Sequence, residues 1–135
     1  MNSAVGPRFT SELVVQEYDG SNNDEWLVYR PLRYVTYHLG YPWEITVPRD
    51  FISDLASIPH FLRPIIRRRK THKGGVLHDY LTRRNPYHDD KGKDGLTRRD
   101  CDKIFRESLK TCGVSSAKCT VMYHAVRLYS LTKRS

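Results

Sequence analysis

Asp54, His78, Asp79 and Asp102 each stand where most neighbours are apolar: Asp54 within residues 51–59, His78 and Asp79 within residues 76–81, and Asp102 beside Cys101 and in step with Phe105 and Leu109. Spacing of three and seven puts Asp102 at the edge of an apolar helix stripe, and burial of a charged group without a partner is costly. These residues are therefore expected to be paired. His78 and Asp79, adjacent on a helix, point about 100° apart, so at least one reaches toward Asp102 or Asp54. Three carboxylates and an imidazole from three segments suit two chemistries. They could hold a divalent ion as cofactor, since hard cations take carboxylate oxygens and transition metals accept imidazole, or they could form the acid–base centre of a hydrolase. The reading without chemistry is a structural network in which His78 bridges carboxylates and Arg127 pairs with one of them.

Ser57 could complete a nucleophilic Ser–His–Asp set with His78 and Asp102, but no G-x-S-x-G elbow surrounds it. Ser before Ile58-Pro59 has the pattern of a helix N-cap, and that is its expected role, beside Arg127 in the network. His60 and His72 border a basic run and are read as surface residues; His88-Asp89-Asp90 fall in a polar stretch.

Charge is unevenly placed. Residues 1–59 carry four Lys/Arg against eight Asp/Glu and residues 60–135 nineteen against seven, so a net +8 is concentrated in the second half. The candidate binding surface is Arg67, Arg68, Arg69, Lys70 and Lys73 with Arg83 and Arg84, which would attract an acidic protein surface or DNA. Neither a zinc finger nor a helix-turn-helix accompanies it, and Arg98 and Arg99 read equally well as a solvated first turn. The three cysteines, Cys101, Cys112 and Cys119, have no C-x-x-C spacing, so neither a disulfide framework nor a zinc knuckle is indicated. With no apolar run near the length of a membrane span and no leader, the expectation is a protein made in a reducing cytoplasm.

The elements that must position these residues follow from periodicity. Residues 9–18 and 25–32 flank Asp19-Gly20-Ser21-Asn22-Asn23 and read as a hairpin; residues 33–39 and 43–47 alternate around Gly40-Tyr41-Pro42 and read as a second. After Pro48 the pattern turns helical: a short turn carrying Pro59 and Pro64, an exposed basic loop over 67–73, a helix over 75–83, a polar loop to Gly95, a helix opened by a Thr97–Asp100 capping box and closed at Gly113, and a last helix to about Leu131. The fold class is α+β, one domain over residues 1–135, strand-rich over 9–52 and helical over 55–131. An N-terminal antiparallel sheet of four to five short strands is expected to pack on three to four helices.

Phe51-x-x-Asp54-Leu55-Ala56-Ser57-Ile58-Pro59, Val76-Leu77-His78-Asp79-Tyr80-Leu81, Arg99-Asp100-Cys101-Asp102-Lys103-Ile104-Phe105 and Tyr123-x-x-Val126-Arg127, in that order, resemble the phage and prophage domain-of-unknown-function family numbered 1353. Cys101 stands where that pattern usually has Ala, and Thr82 where an aromatic often closes the His-Asp block. The resemblance implies a viral or prophage origin. The leading functional expectation is a virion-associated tail, connector or assembly component whose basic half docks on other phage structural proteins. The alternatives are a metal-assisted hydrolase acting on host envelope or a phosphoester through Asp54, His78, Asp79 and Asp102, and a regulatory or anti-defence protein that binds a host factor.

Overall fold

The change from alternating to helical periodicity near Pro48 is also where the architecture changes in the computed structural model, which describes residues 6–17, 25–84 and 96–133. Before it lie β1 (Arg8–Phe9), β2 (Val15–Glu17), β3 (Trp26–Val28), β4 (Leu32–Thr36) and β5 (Trp43–Val47). After it, β6 (Ile52–Ser53) precedes a short 3-10 turn (His60–Leu62), α1 (Arg63–Ile66), α2 (His72–Arg84), α3 (Arg98–Thr111) and α4 (Ser116–Lys133). The fold is α+β.

The strands form two antiparallel sheets, β1-β4-β5 and β2-β3-β6, where one sheet was expected. Pro31 has no N–H to give a ladder and separates β3 from β4. The chain leaving β5 then returns to β3, with Val28 N donating to Phe51 O and Asp50 N to Val28 O. The two hairpins lie where alternation put them: Val15 faces Val28, and Tyr34 faces Ile45. The expected loop over 19–23 and the polar loop that holds His88, Asp89 and Asp90 fall outside the described residues.

Two apolar clusters flank the α2–α3 pair. One packs Val28, Leu32, Tyr34, Ile45 and Val47 of the strands on Val76, Leu77, Leu81, Cys101 and Ile104. The other packs Leu55, Ile58, Leu62 and Ile66 on Phe105, Leu109, Cys119, Met122 and Val126. α2 begins at His72, earlier than the Gly75 start expected, because Thr71 Oγ1 donates to the Ile65 and Ile66 carbonyls and turns the basic segment directly into the helix. Close packing explains glycine there: a Cβ on Gly75 would lie 2.3 Å from Ile66 Cγ2 and 3.1 Å from Leu55 Cδ2. The capping box of α3 is present, with Thr97 and Asp100 exchanging hydrogen bonds.

Candidate functional site: a buried polar junction and an exposed basic ridge

Asp79 is the centre of one half of the junction. The loop between β6 and the 3-10 turn folds over its carboxylate: Ser53 Oγ (2.8 Å) and Leu55 N (3.2 Å) donate to Oδ2, and Ser57 N (3.2 Å) and Ser57 Oγ (2.9 Å) donate to Oδ1. Asp54 Oδ1 accepts from Ala56 N at 2.9 Å, which tightens the same turn. Leu55 sits at φ 58°, a left-handed conformation that costs an L-residue about 1–2 kcal/mol and is held here by its N–H on Asp79.

Asp102 is the centre of the other half. It is 0% exposed and accepts from His78 Nε2 at 2.5 Å and Arg98 Nε at 3.2 Å on Oδ1, and from Arg127 Nη1 at 2.9 Å on Oδ2. Burial alone would raise this carboxyl. The hydrogen bond and charge of His78, the charge of Arg98 and the hydrogen bond from Arg127 outweigh burial and hold it below the usual carboxylate range. His78, also fully buried, joins the halves: its Nδ1 lies 2.9 Å from Ser57 Oγ, and its ring tilts on Phe105.

Ser57, His78 and Asp102 thus form a chain with the connectivity of a nucleophilic triad, and Ser57 is not the N-cap expected. The 3-10 turn starts after Pro59 without a side-chain cap, because the Ser57 hydroxyl is drawn to Asp79 and His78 instead. A hydroxyl has one proton, and a carboxylate can only accept. The Ser57 proton can go to either of two atoms at 2.9 Å, Asp79 Oδ1 or His78 Nδ1, and with Ser57 only 7% exposed and His78 and Asp102 0% exposed the hydroxyl presents almost no surface to a substrate. The arrangement locks three segments together, and the Nη2 of Arg98, which also holds Asp102, is buried there without a hydrogen-bond partner among the described residues.

The four residues expected to hold a divalent ion do not converge. His78 has both ring nitrogens engaged, Asp79 and Asp102 face opposite ends of the chain just described, and Asp54 is turned outward onto Arg83 Nη2 at 2.8 Å. Among the described residues no group of three or more His, Cys, Asp and Glu side chains could hold a metal. Arg98, read from the sequence as equally well solvated, is buried on Asp102; its i, i+4 spacing to that residue was the signal available. Glu107 was missed altogether. It accepts from Tyr34 Oη (2.7 Å), Thr36 Oγ1 (2.8 Å) and Tyr37 N (3.3 Å), and burial with this acid pushes the Tyr34 phenol up.

The basic residues divide. Arg83 is held by Ile52 O at 2.8 Å and by Asp54, and it stacks over Phe51. The side chain of Arg84 lies outside the described part. Arg67, Arg68, Arg69 and Lys70 are exposed at the corner between α1 and α2, and Lys73 is half-buried over the Phe9 ring. Arg69, Lys70, His72 and Lys73 line one side of a groove of about 630 Å³, with Glu12, Leu13, Val15 and Cys112 completing it. His72 Nε2 is buried without a hydrogen-bond partner among the described residues. Burial and the Arg67 charge hold His72 below its ordinary value, so it is neutral at neutral pH.

No helix among the described residues is long and apolar enough to cross a membrane. A family model described as protein of unknown function (DUF1353) matches residues 26–126, which include the residues of the buried junction except Arg127. No curated protein and no solved structure matches the chain.

Proposed function

Since the chain belongs to the DUF1353 family, whose description names no activity, we propose from the site itself that it is a non-catalytic docking protein, virion-associated in the phage setting its motifs suggest. The basic ridge of Arg68, Arg69, Lys70 and Lys73 takes an acidic face of a neighbouring structural protein, and the buried junction holds the ridge-bearing α1–α2 corner on the sheets. The observation that carries this reading is the division of polar groups. Asp79, His78 and Asp102 are closed on one another inside the protein, whereas the cations at the α1–α2 corner are exposed beside a groove with an unpartnered His72 nitrogen. The apolar lining of Leu13 and Val15 opposite the cations favours a protein surface over a phosphate backbone, which offers charge but no apolar side chains.

The test uses the full chain with poly-glutamate and a DNA duplex as probes. Poly-glutamate binding is expected to weaken as salt rises from low to physiological strength and to be lost in Arg68→Glu/Arg69→Glu, whose melting temperature stays that of the wild type because both sites are exposed. Binding that the double variant retains would overturn the ridge, and tighter binding to duplex than to poly-glutamate would replace the protein partner with nucleic acid.

A further inference from the structure

α4 is apolar on two opposite faces. Its inner face, carrying Cys119, Met122 and Val126, is buried in the second core cluster. On the outer side Val121, Leu128 and Leu131 are 65%, 65% and 49% exposed. With Ala117 and His124 between and before them, they recur at spacings of four, three, four and three, the seam of a coiled coil. A surface helix normally keeps one apolar stripe for its own core and turns polar residues outward. Exposed hydrophobics scattered singly are ordinary, but three large ones in register along about 15 Å of helix form a contiguous face that water covers poorly.

The charges beside this seam decide what covers it. The described side chains of α4 include no carboxylate, and Lys118 borders the seam on one side. On the other, Ser116 and Thr120 line a groove of about 380 Å³ with Lys103, Arg106 and Lys110 of α3. Glu107 in that groove, whose oxygens accept from Tyr34, Thr36 and Tyr37, can balance only one of these three cations. A second copy of this face would set cations against cations.

We propose that the outer face of α4 is a docking site for an amphipathic helix of a partner protein whose apolar seam is bordered by Asp or Glu. Apolar side chains of that helix interleave with Val121, Leu128 and Leu131, and its carboxylates meet Lys118 on one border and the Lys103–Arg106–Lys110 row on the other. The inference stands on α4 and its borders and does not require the ridge at the α1–α2 corner.

Two synthetic peptides with the same Leu seam, one bordered by Glu and one by Lys, test it by fluorescence anisotropy on the full chain. The Glu peptide is expected to bind at least about tenfold more tightly than the Lys peptide, and Val121→Gln/Leu128→Gln is expected to lose at least about tenfold in Glu-peptide affinity with the melting temperature unchanged. If the double variant melts early, Leu131→Gln with the wild-type peptide comparison carries the test. Equal affinity for the two peptides, no binding of either, or full affinity in the variants would overturn the proposal. So would a wild-type dimer in sedimentation velocity that Val121→Gln/Leu128→Gln converts to monomer, since the occupant would then be a second copy.

Discussion

Replacing Asp102 by Ala removes the one acceptor shared by His78 Nε2, Arg98 Nε and Arg127 Nη1. His78 has no solvent access and the Arg98 side chain only 6%, so neither can exchange the lost carboxylate for water; Arg127 at 14% can do so in part. Breaking a buried ion pair from one side costs about 3–5 kcal/mol, and this site should fall in that range. Asp102→Asn keeps the volume and one acceptor oxygen but turns an NH₂ toward donors; about 2–3 kcal/mol is expected. For a chain of this size that is a drop of about 10 °C in melting temperature. Glu44→Gln, exposed on β5, serves as the control and should stay within about 0.5 kcal/mol.

The pH dependence separates a charge effect from a packing effect. Because the folded Asp102 carboxyl is lowered, its contribution is whole above the unfolded value of about 3.9 and fades as pH falls through the folded value. The gap between wild-type and Asp102→Asn urea midpoints is therefore expected to hold from about pH 7 to pH 5 and to close only below about pH 4. An Asp102→Ala midpoint matching that of Glu44→Gln, or a gap that closes above pH 5, would refute the reasoning that Asp102 is a buried, ionised anchor.

Gly75→Ala drives a Cβ to 2.3 Å from Ile66 Cγ2, and an overpacking loss of about 1–3 kcal/mol is expected despite better helix propensity; an unchanged or higher urea midpoint would refute the close seat of α1 on α2. Thiol labelling at pH 8 is expected to consume one rapid equivalent, at half-exposed Cys112, and three in denaturant. Burial pushes the Cys101 thiol up to about 12 and raises that of Cys119, so fast labelling of either in the native state would contradict the packing of α3 and α4. Arg83→Ala should cost under about 1 kcal/mol, as its ion pair is partly exposed, and should leave poly-glutamate binding intact. Lost binding would return Arg83 to the contact surface.

How much of this was legible depended on whether a residue's partner lay on its own element. The β4–β5 hairpin and the Thr97–Asp100 box were readable because alternation and capping are local. His78, Asp79 and Asp102 stood out because polar groups in apolar runs must be paired; a contact of His78 with a carboxylate and of Arg127 with a carboxylate was expected and both fall on Asp102, whereas the Ser53, Leu55 and Ser57 donors around Asp79 could not be read. Ser57 looked like a cap because its nearest sequence features are Ile58 and Pro59, while the groups that hold it, His78 and Asp79, are 21 and 22 residues away. The same distance hid Glu107, whose partners in β4 and the turn after it are 70 or more positions earlier. The return of β6 to β3, which splits the strands into two sheets, rests on backbone hydrogen bonds that carry no side-chain signature.

The docking function is tested most directly by quantitative mass spectrometry of purified particles from a strain that encodes the chain. The chain is expected in wild-type particles, with Arg68→Glu/Arg69→Glu strongly depleted from them although the variant accumulates and folds as the wild type does. Particles that lack the chain altogether, or that incorporate the double variant at the wild-type level, would contradict the account.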